Sequence, residues 1–105
     1  MSNVVLVKHR NNWGLEEEKV VTTAKGILKE FGIDGAELSL VFVGRKEAKS
    51  LNIKYRKMDY VPQVLAFPMD KEGMLGDIVI CTQKLKREKA SLEEWIRHGV
   101  QNLLK

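Results

Sequence analysis

Residues 75–81 read Leu-Gly-Asp-Ile-Val-Ile-Cys, an apolar, β-branched run that ends on the only cysteine of the chain. A short run of this kind, preceded by a polar, glycine-containing stretch at 69–74, reads as a buried strand and needs a sheet around it. Three other runs can supply one. Val4–Val7 is β-branched and apolar and predicts a second buried strand. Glu37–Val43 predicts a third, with Leu38, Leu40 and Phe42 on one face. Val64–Phe67 predicts a short fourth, stopped by Pro68. With residues 75–81 it forms a hairpin-like antiparallel pair whose 69–74 loop is longer than the tightest turns.

The segments between these runs carry helical periodicity. From Leu15, the residues Val20, Val21, Ala24, Ile27, Leu28 and Phe31 recur at helical spacing, behind side-chain caps offered by Asn11-Asn12-Trp13-Gly14. Glu16, Glu17 and Glu18 complement the helix dipole in its first turn, and Gly32 is the expected C-terminal cap. Arg45 to about Arg56 predicts a second helix, with Ala48, Leu51 and Tyr55 inward and cations on its other faces. The C-terminus reads as two helices. The first runs from Thr82 to about Lys89. The second opens on a capping box at Ser91-Leu92-Glu93-Glu94 and buries Leu92, Trp95, Ile96, Gly99, Val100, Leu103 and Leu104. The expected fold is α+β, one domain over 1–105, with a four-stranded mixed sheet and three to four helices.

At 105 residues, 44% hydrophobic and 30% charged, the chain has room for one core and the composition of a soluble globular protein. No apolar run nears the roughly 20 residues that cross a bilayer. The first eight residues lack the basic segment and small-residue cleavage site of a signal peptide. A single cysteine permits neither an internal disulfide nor a CxxC metal clip, and the expected location is cytoplasmic. Net charge is +4, and its distribution matters more than its size. Residues 44–58 hold Arg45, Lys46, Lys49, Lys54, Arg56 and Lys57 against Glu47 alone; the 82–105 segment is also enriched in cations. Clustered cations suit a polyphosphate backbone, and they also suit solvated helix faces.

Two further stretches complete a pattern: Leu51-Asn52-x-x-Tyr55-Arg56-x-x-Asp59 upstream and His98-Gly99 downstream. With residues 75–81 they resemble the YbeY family, rRNA maturation factors described as metal-dependent, single-strand-directed endoribonucleases. The resemblance implies a metal-hydrolase-like α+β fold, zinc as cofactor, and RNA, as rRNA or the ribosome, as partner. It implies a functional role for Arg56, whose planar fork can hold a scissile phosphate through two hydrogen bonds. A surface pair between Arg56 and Asp59 is the competing reading. The expected RNA-binding set is Arg45, Lys49, Lys54, Arg56, Lys57 and Arg97.

Departures from the family pattern are concentrated in two places. Relatives continue Pro-Thr-Asp-Val-Leu-Ser-Phe-Pro, where this chain has Val61-Pro62-Gln63-Val64-Leu65-Ala66-Phe67-Pro68. The apolar frame survives, while the polar positions become Pro62, Gln63 and Ala66. Relatives also end on a pattern like His-Gly-x-x-His-Leu-x-Gly-Tyr-Asp-His, the spacing of a three-ligand zinc site with an open position. Here the match is His98-Gly99-Val100-Gln101-Asn102-Leu103-Leu104-Lys105, so His98 fits the first ligand, Asn102 stands at the second and the third is absent. An ungapped alignment from Ser91 would put Asn102 at the first ligand position instead. Asp77, an acid in an apolar strand, should have a partner or a function. Cys81 reads as a small core residue, Trp95 as core, and Trp13 and Tyr60 as either packing or base-stacking groups. Two functions follow: a YbeY-like endoribonuclease, or an inactive descendant that binds RNA or a ribosomal protein. A shortened chain whose lost tail carried the other ligands is a third reading.

Overall fold

The computed structural model describes residues 2–9, 16–88 and 92–105, the stretch 86–88 for its backbone alone. In chain order the elements are β1 (Val4–His9), α1 (Glu17–Glu30), β2 (Glu37–Val43), α2 (Arg45–Arg56), β3 (Val64–Lys71), β4 (Met74–Cys81), α3 (Thr82–Glu88) and α4 (Leu92–Leu103). The sheet order is β1-β2-β4-β3. The first three of these strands are parallel, and β3 is antiparallel to β4. This is the expected α+β arrangement, with four helices. The proposed caps at 11–14 and Ser91, together with Trp13, lie outside the described residues.

Position in the sheet explains the composition of each strand. The central strands β2 and β4 are covered on both faces, so they read as continuous apolar runs. Leu38, Leu40, Phe42, Ile78 and Ile80 face a core built with α1 and α4. Val41, Val43, Val79 and Cys81 face a smaller core closed by Ala48 and Leu51 of α2. β1 corrects the expectation of a buried strand. It lies at an edge, with Val5 buried while Val4 and Leu6 are exposed. Helix α1 ends at Gly32 as expected: Gly32 donates to the Lys29 carbonyl and Ile33 to that of Leu28, closing a Schellman turn.

The hairpin is longer and tighter than expected. β3 continues through Pro68 to Lys71, and Lys71 pairs with Met74 across a two-residue turn. Proline is tolerated because β3 is an edge strand, where a missing donor need not break a ladder. Gly76 makes the pairing possible. Its φ of 133° excludes ordinary side chains, and a Cβ there would sit on the Phe67 carbonyl oxygen and 2.9 Å from Pro68 Cα.

Helix α4 lies directly against β4. A Cβ on Gly99 would come within 2.7 Å of Ile78 Cγ2 and 2.8 Å of its Cδ1, so only glycine lets the helix approach this closely. Trp95, Ile96, Val100 and Leu103 are buried around that contact. Leu104 corrects the expected buried face: it follows the last helical residue and is exposed. Substitution of Gly99 by alanine is expected to cost about 1–3 kcal/mol by overpacking against Ile78. Gly76→Ala should cost at least as much. Gly26→Ala, at an exposed helical position with no atom within 4 Å, should stabilise by about 0.5–1 kcal/mol. Urea denaturation of the three variants checks this ordering.

Candidate nucleic-acid groove

Close seating of α4 on the sheet leaves a groove along the β3 edge. One wall is α4, and the other is the C-terminal end of α2 with the turn that follows it. The groove has two lobes. One, of about 490 Å³, is lined by Arg56, Tyr60, Val61, Pro62, Gln63, Val64, Lys84, Trp95 and His98. The other, of about 510 Å³, is lined by Tyr55, Arg56, Val64, Leu65, Ala66, Phe67, His98 and Asn102. Both volumes fall in the range of ordinary ligand sites. Among the described residues no carboxylate lines either lobe. Pro62, Gln63 and Ala66, which replace the three polar residues of the family's strand pattern, all line this groove.

The turn that presents Arg56 and Tyr60 depends on a residue whose role the periodicity of α2 did not reveal. Helix α2 buries Ala48 and Asn52, while Tyr55, expected inward, is exposed and meets Phe67 edge to face at 5.1 Å. Asn52 is fully buried, and its Nδ2 donates to the carbonyls of Met58 and Tyr60, each at 3.0 Å. Its Oδ1 is buried without a hydrogen-bond partner. Lys57 closes the helix in the left-handed conformation, at φ 60°, which costs a non-glycine residue about 1 kcal/mol. The amide of Asn52 therefore holds a turn that its own sequence disfavours. A buried asparagine at an apolar-spaced position was the available signal.

The expected site residues separate into two groups. Arg56 and His98 come together in the groove, from opposite walls. Asp59 pairs with Lys49 at 3.3 Å, and Arg56 has no carboxylate partner among the described residues, so the competing Arg56–Asp59 pair does not form. Arg45, Lys49, Lys54 and Lys57 sit on the exposed side of α2 and its end, outside the lobes. The Arg45 amide donates to Gln83 Oε1, and the Lys54 ammonium lies 5.2 Å from the Tyr55 ring centre. Arg97 points elsewhere: it bonds Glu93 at 2.8 Å and Glu30 at 3.1 Å, tying α4 to α1. Those bonds, to Glu93 first and Glu30 second, raise its pKa further.

Asp77 stands half-buried on the α2 side of β4, beside Glu47 and Leu51 in a cleft that shares Tyr55 and Phe67 with the second lobe. Cys81 is a buried free thiol, and Trp95 is part of the main core with one edge on the groove. At the family's ligand positions the groove offers a metal one imidazole, from His98, and one carboxamide, from Asn102 a turn later. Among the described residues no three His, Cys, Asp or Glu side chains gather. A neutral amide is a poor zinc donor, so this donor set does not fit the three-ligand zinc site that the resemblance implies.

No helix among the described residues is long and apolar enough to cross a membrane. A family model described as "Endoribonuclease YbeY" matches residues 7–104. A protein of that description from Aquifex aeolicus is 34% identical, covering 97% of this chain and 75% of that protein. Another from Allorhizobium ampelinum is 43% identical, over 66% of this chain and 46% of that protein. The chain thus spans only about half the length of some of these relatives. The solution structure of TM1509 from Thermotoga maritima superposes with a TM-score of 0.57 at 21% identity, over 97% of this chain and 73% of that one, and supports the fold alone.

Substituting Asn52 by alanine is expected to destabilise by about 1–3 kcal/mol, because the Met58 and Tyr60 carbonyls lose their donor. Asn52→Asp should cost more, since a carboxylate would face two carbonyl oxygens. Thermal unfolding of both variants measures the difference.

Proposed function

The chain belongs to the YbeY family, and on that premise we propose that it is a cytoplasmic endoribonuclease of ribosomal RNA maturation. In this reading residues 1–105 act as one domain, and the RNA strand lies in the groove beside α4. The observation that carries the proposal is the charge of that groove: Arg56 and Lys84 face it, and among the described residues no acid lines it and Arg56 has no competing carboxylate. A guanidinium in that position can hold both non-bridging oxygens of a phosphate. Bonds from fixed donors to those oxygens strengthen as negative charge develops during cleavage, which is how Arg56 would assist the reaction. The exposed Lys46, Lys54 and Lys57 add a field that draws a polyanion toward the groove without selecting its sequence.

Zinc chemistry is not assigned to this donor set. His98 and Asn102 supply one good ligand between them, too few for a catalytic zinc. That shortfall favours a second reading, a family member that grips RNA without cutting it. The two separate on one preparation, incubated with single-stranded ribosomal RNA fragments with and without added zinc. Cleavage that is abolished by Arg56→Ala supports the enzyme, and tight binding with intact RNA supports the binding module.

Both readings share a binding prediction. Arg56→Ala should weaken single-stranded RNA binding about 10- to 100-fold and reduce the salt slope by about 0.7, one phosphate contact on a single strand. Arg97→Ala, whose guanidinium is held by Glu30 and Glu93, should change affinity less than about twofold. Fluorescence anisotropy across a salt series measures both. Equal losses for the two variants would remove the groove from the account.

A further inference from the structure

The two lobes share only three residues, and two of them are the hydrogen-bonding groups Arg56 and His98, with Val64 between as floor. Outward from that centre the lobes repeat one composition. The first has an aromatic ring, Tyr60, and a carboxamide, Gln63. The second has an aromatic wall, Tyr55 with Phe67, and a carboxamide, Asn102. Tyr60 is 48% exposed and Tyr55 56%, although each is held by neighbours. The Tyr60 hydroxyl donates to Met58 Sδ at 3.7 Å and its carbonyl is clamped by Asn52, while Tyr55 rests against Phe67. Large aromatic side chains kept at the surface in a fixed position lose little conformational freedom when a planar ligand lands on them.

From this repetition we infer that the groove is a dinucleotide site: it takes two consecutive unpaired nucleotides, with one base in each lobe and the phosphate joining them at Arg56 and His98. The inference rests on the RNA-directed reading above and adds its register. Stacking on Tyr60 and on the Tyr55–Phe67 wall takes any base, because every base has a π face. The carboxamides supply preference. A carboxamide carries an acceptor and two donors in one plane, the complement of a base edge. Asn102 thereby acquires a role at the position where the family resemblance places a metal ligand: it addresses a base. Lys84 stands in the Tyr60 lobe only, so the phosphate beyond that base is the one with an additional cation within reach. A duplex cannot use the site, since its bases are already stacked on one another.

An abasic scan tests this register. Short single-stranded RNAs, each lacking one base at a successive position, are bound to the wild-type protein and to Tyr60→Ala, Tyr60→Phe, Asn102→Leu and Arg56→Ala. In the wild type, loss of a base should weaken binding about 5- to 100-fold at two adjacent positions and little elsewhere. Tyr60→Ala should erase the penalty at one of the two while leaving the other, and Tyr60→Phe should preserve both. Asn102→Leu should alter base preference only at the second position. Arg56→Ala should weaken every RNA alike and leave both penalties in place. The same sequence as a duplex should bind at least about tenfold more weakly than the single strand. RNA that binds with penalties spread evenly, or with both penalties intact in Tyr60→Ala, overturns the dinucleotide register and leaves the RNA-directed reading standing. Wild-type protein that binds no RNA overturns both.

Discussion

The approach of Gly99 to Ile78 sets the geometry on which the rest depends. Because no side chain intervenes, α4 lies flat on β4, and Trp95, His98 and Asn102 then project along one side of the helix toward the β3 edge. Gly76 acts in the same way one layer lower, letting β3 pair closely with β4 so that the edge is where the groove needs it. Two glycines and one isoleucine therefore place the wall, floor and rim of the site. The strand motif 75–81 and the pair His98-Gly99, 17 residues apart from Cys81 to His98, are one packing unit.

The opposite wall is built by a different kind of interaction. Asn52 spends its amide on two turn carbonyls, which fixes Tyr60 and holds the end of α2, with Arg56, against the groove. Neighbouring cations are neutralised locally where a carboxylate is at hand: Lys49 by Asp59, Arg97 by Glu30 and Glu93. Arg56 has no such partner among the described residues and, unlike Lys54 and Lys57, it lines the groove. The groove also loses negative charge where the family pattern has an aspartate, at Gln63, and coordinating capacity where that pattern has a histidine, at Asn102. Both changes leave it suited to an anionic strand and poorly suited to a cation.

Much of this was legible in the sequence wherever one physical rule acts alone. Alternation along Glu37–Val43 placed Leu38, Leu40 and Phe42 in one core, and Gly32 marked the end of α1. The bounds of α2 and β4 followed from periodicity and flanking glycine. The misreadings arise where tertiary position overrides local pattern. β1 is as apolar as a central strand but lies at an edge, so Val4 and Leu6 are exposed. Pro68 stops a central strand but not an edge one. Tyr55, expected inward, is exposed, and Asn52 is buried because hydrogen bonds to the turn six to eight residues on compensate burial of its Nδ2. Of the residues that line the groove, Arg56 and His98 stand in the stretches that carry the family resemblance. The carboxylate partners of Arg97 lie 67 and four residues away, and only the first of these distances hides the pair from a linear reading.

The central claim is that a polyanionic strand occupies the groove between α4 and the end of α2. Titration of isotope-labelled protein with a short single-stranded RNA, followed by NMR, tests it most directly. The Arg56 side-chain Nε–H, the Trp95 indole N–H, the Asn102 amide and the His98 ring are expected to shift together and saturate at one equivalent, while the Arg97 Nε–H stays in place. Shifts confined to the Lys46–Lys57 face of α2, with Arg56 and His98 unmoved, would contradict it.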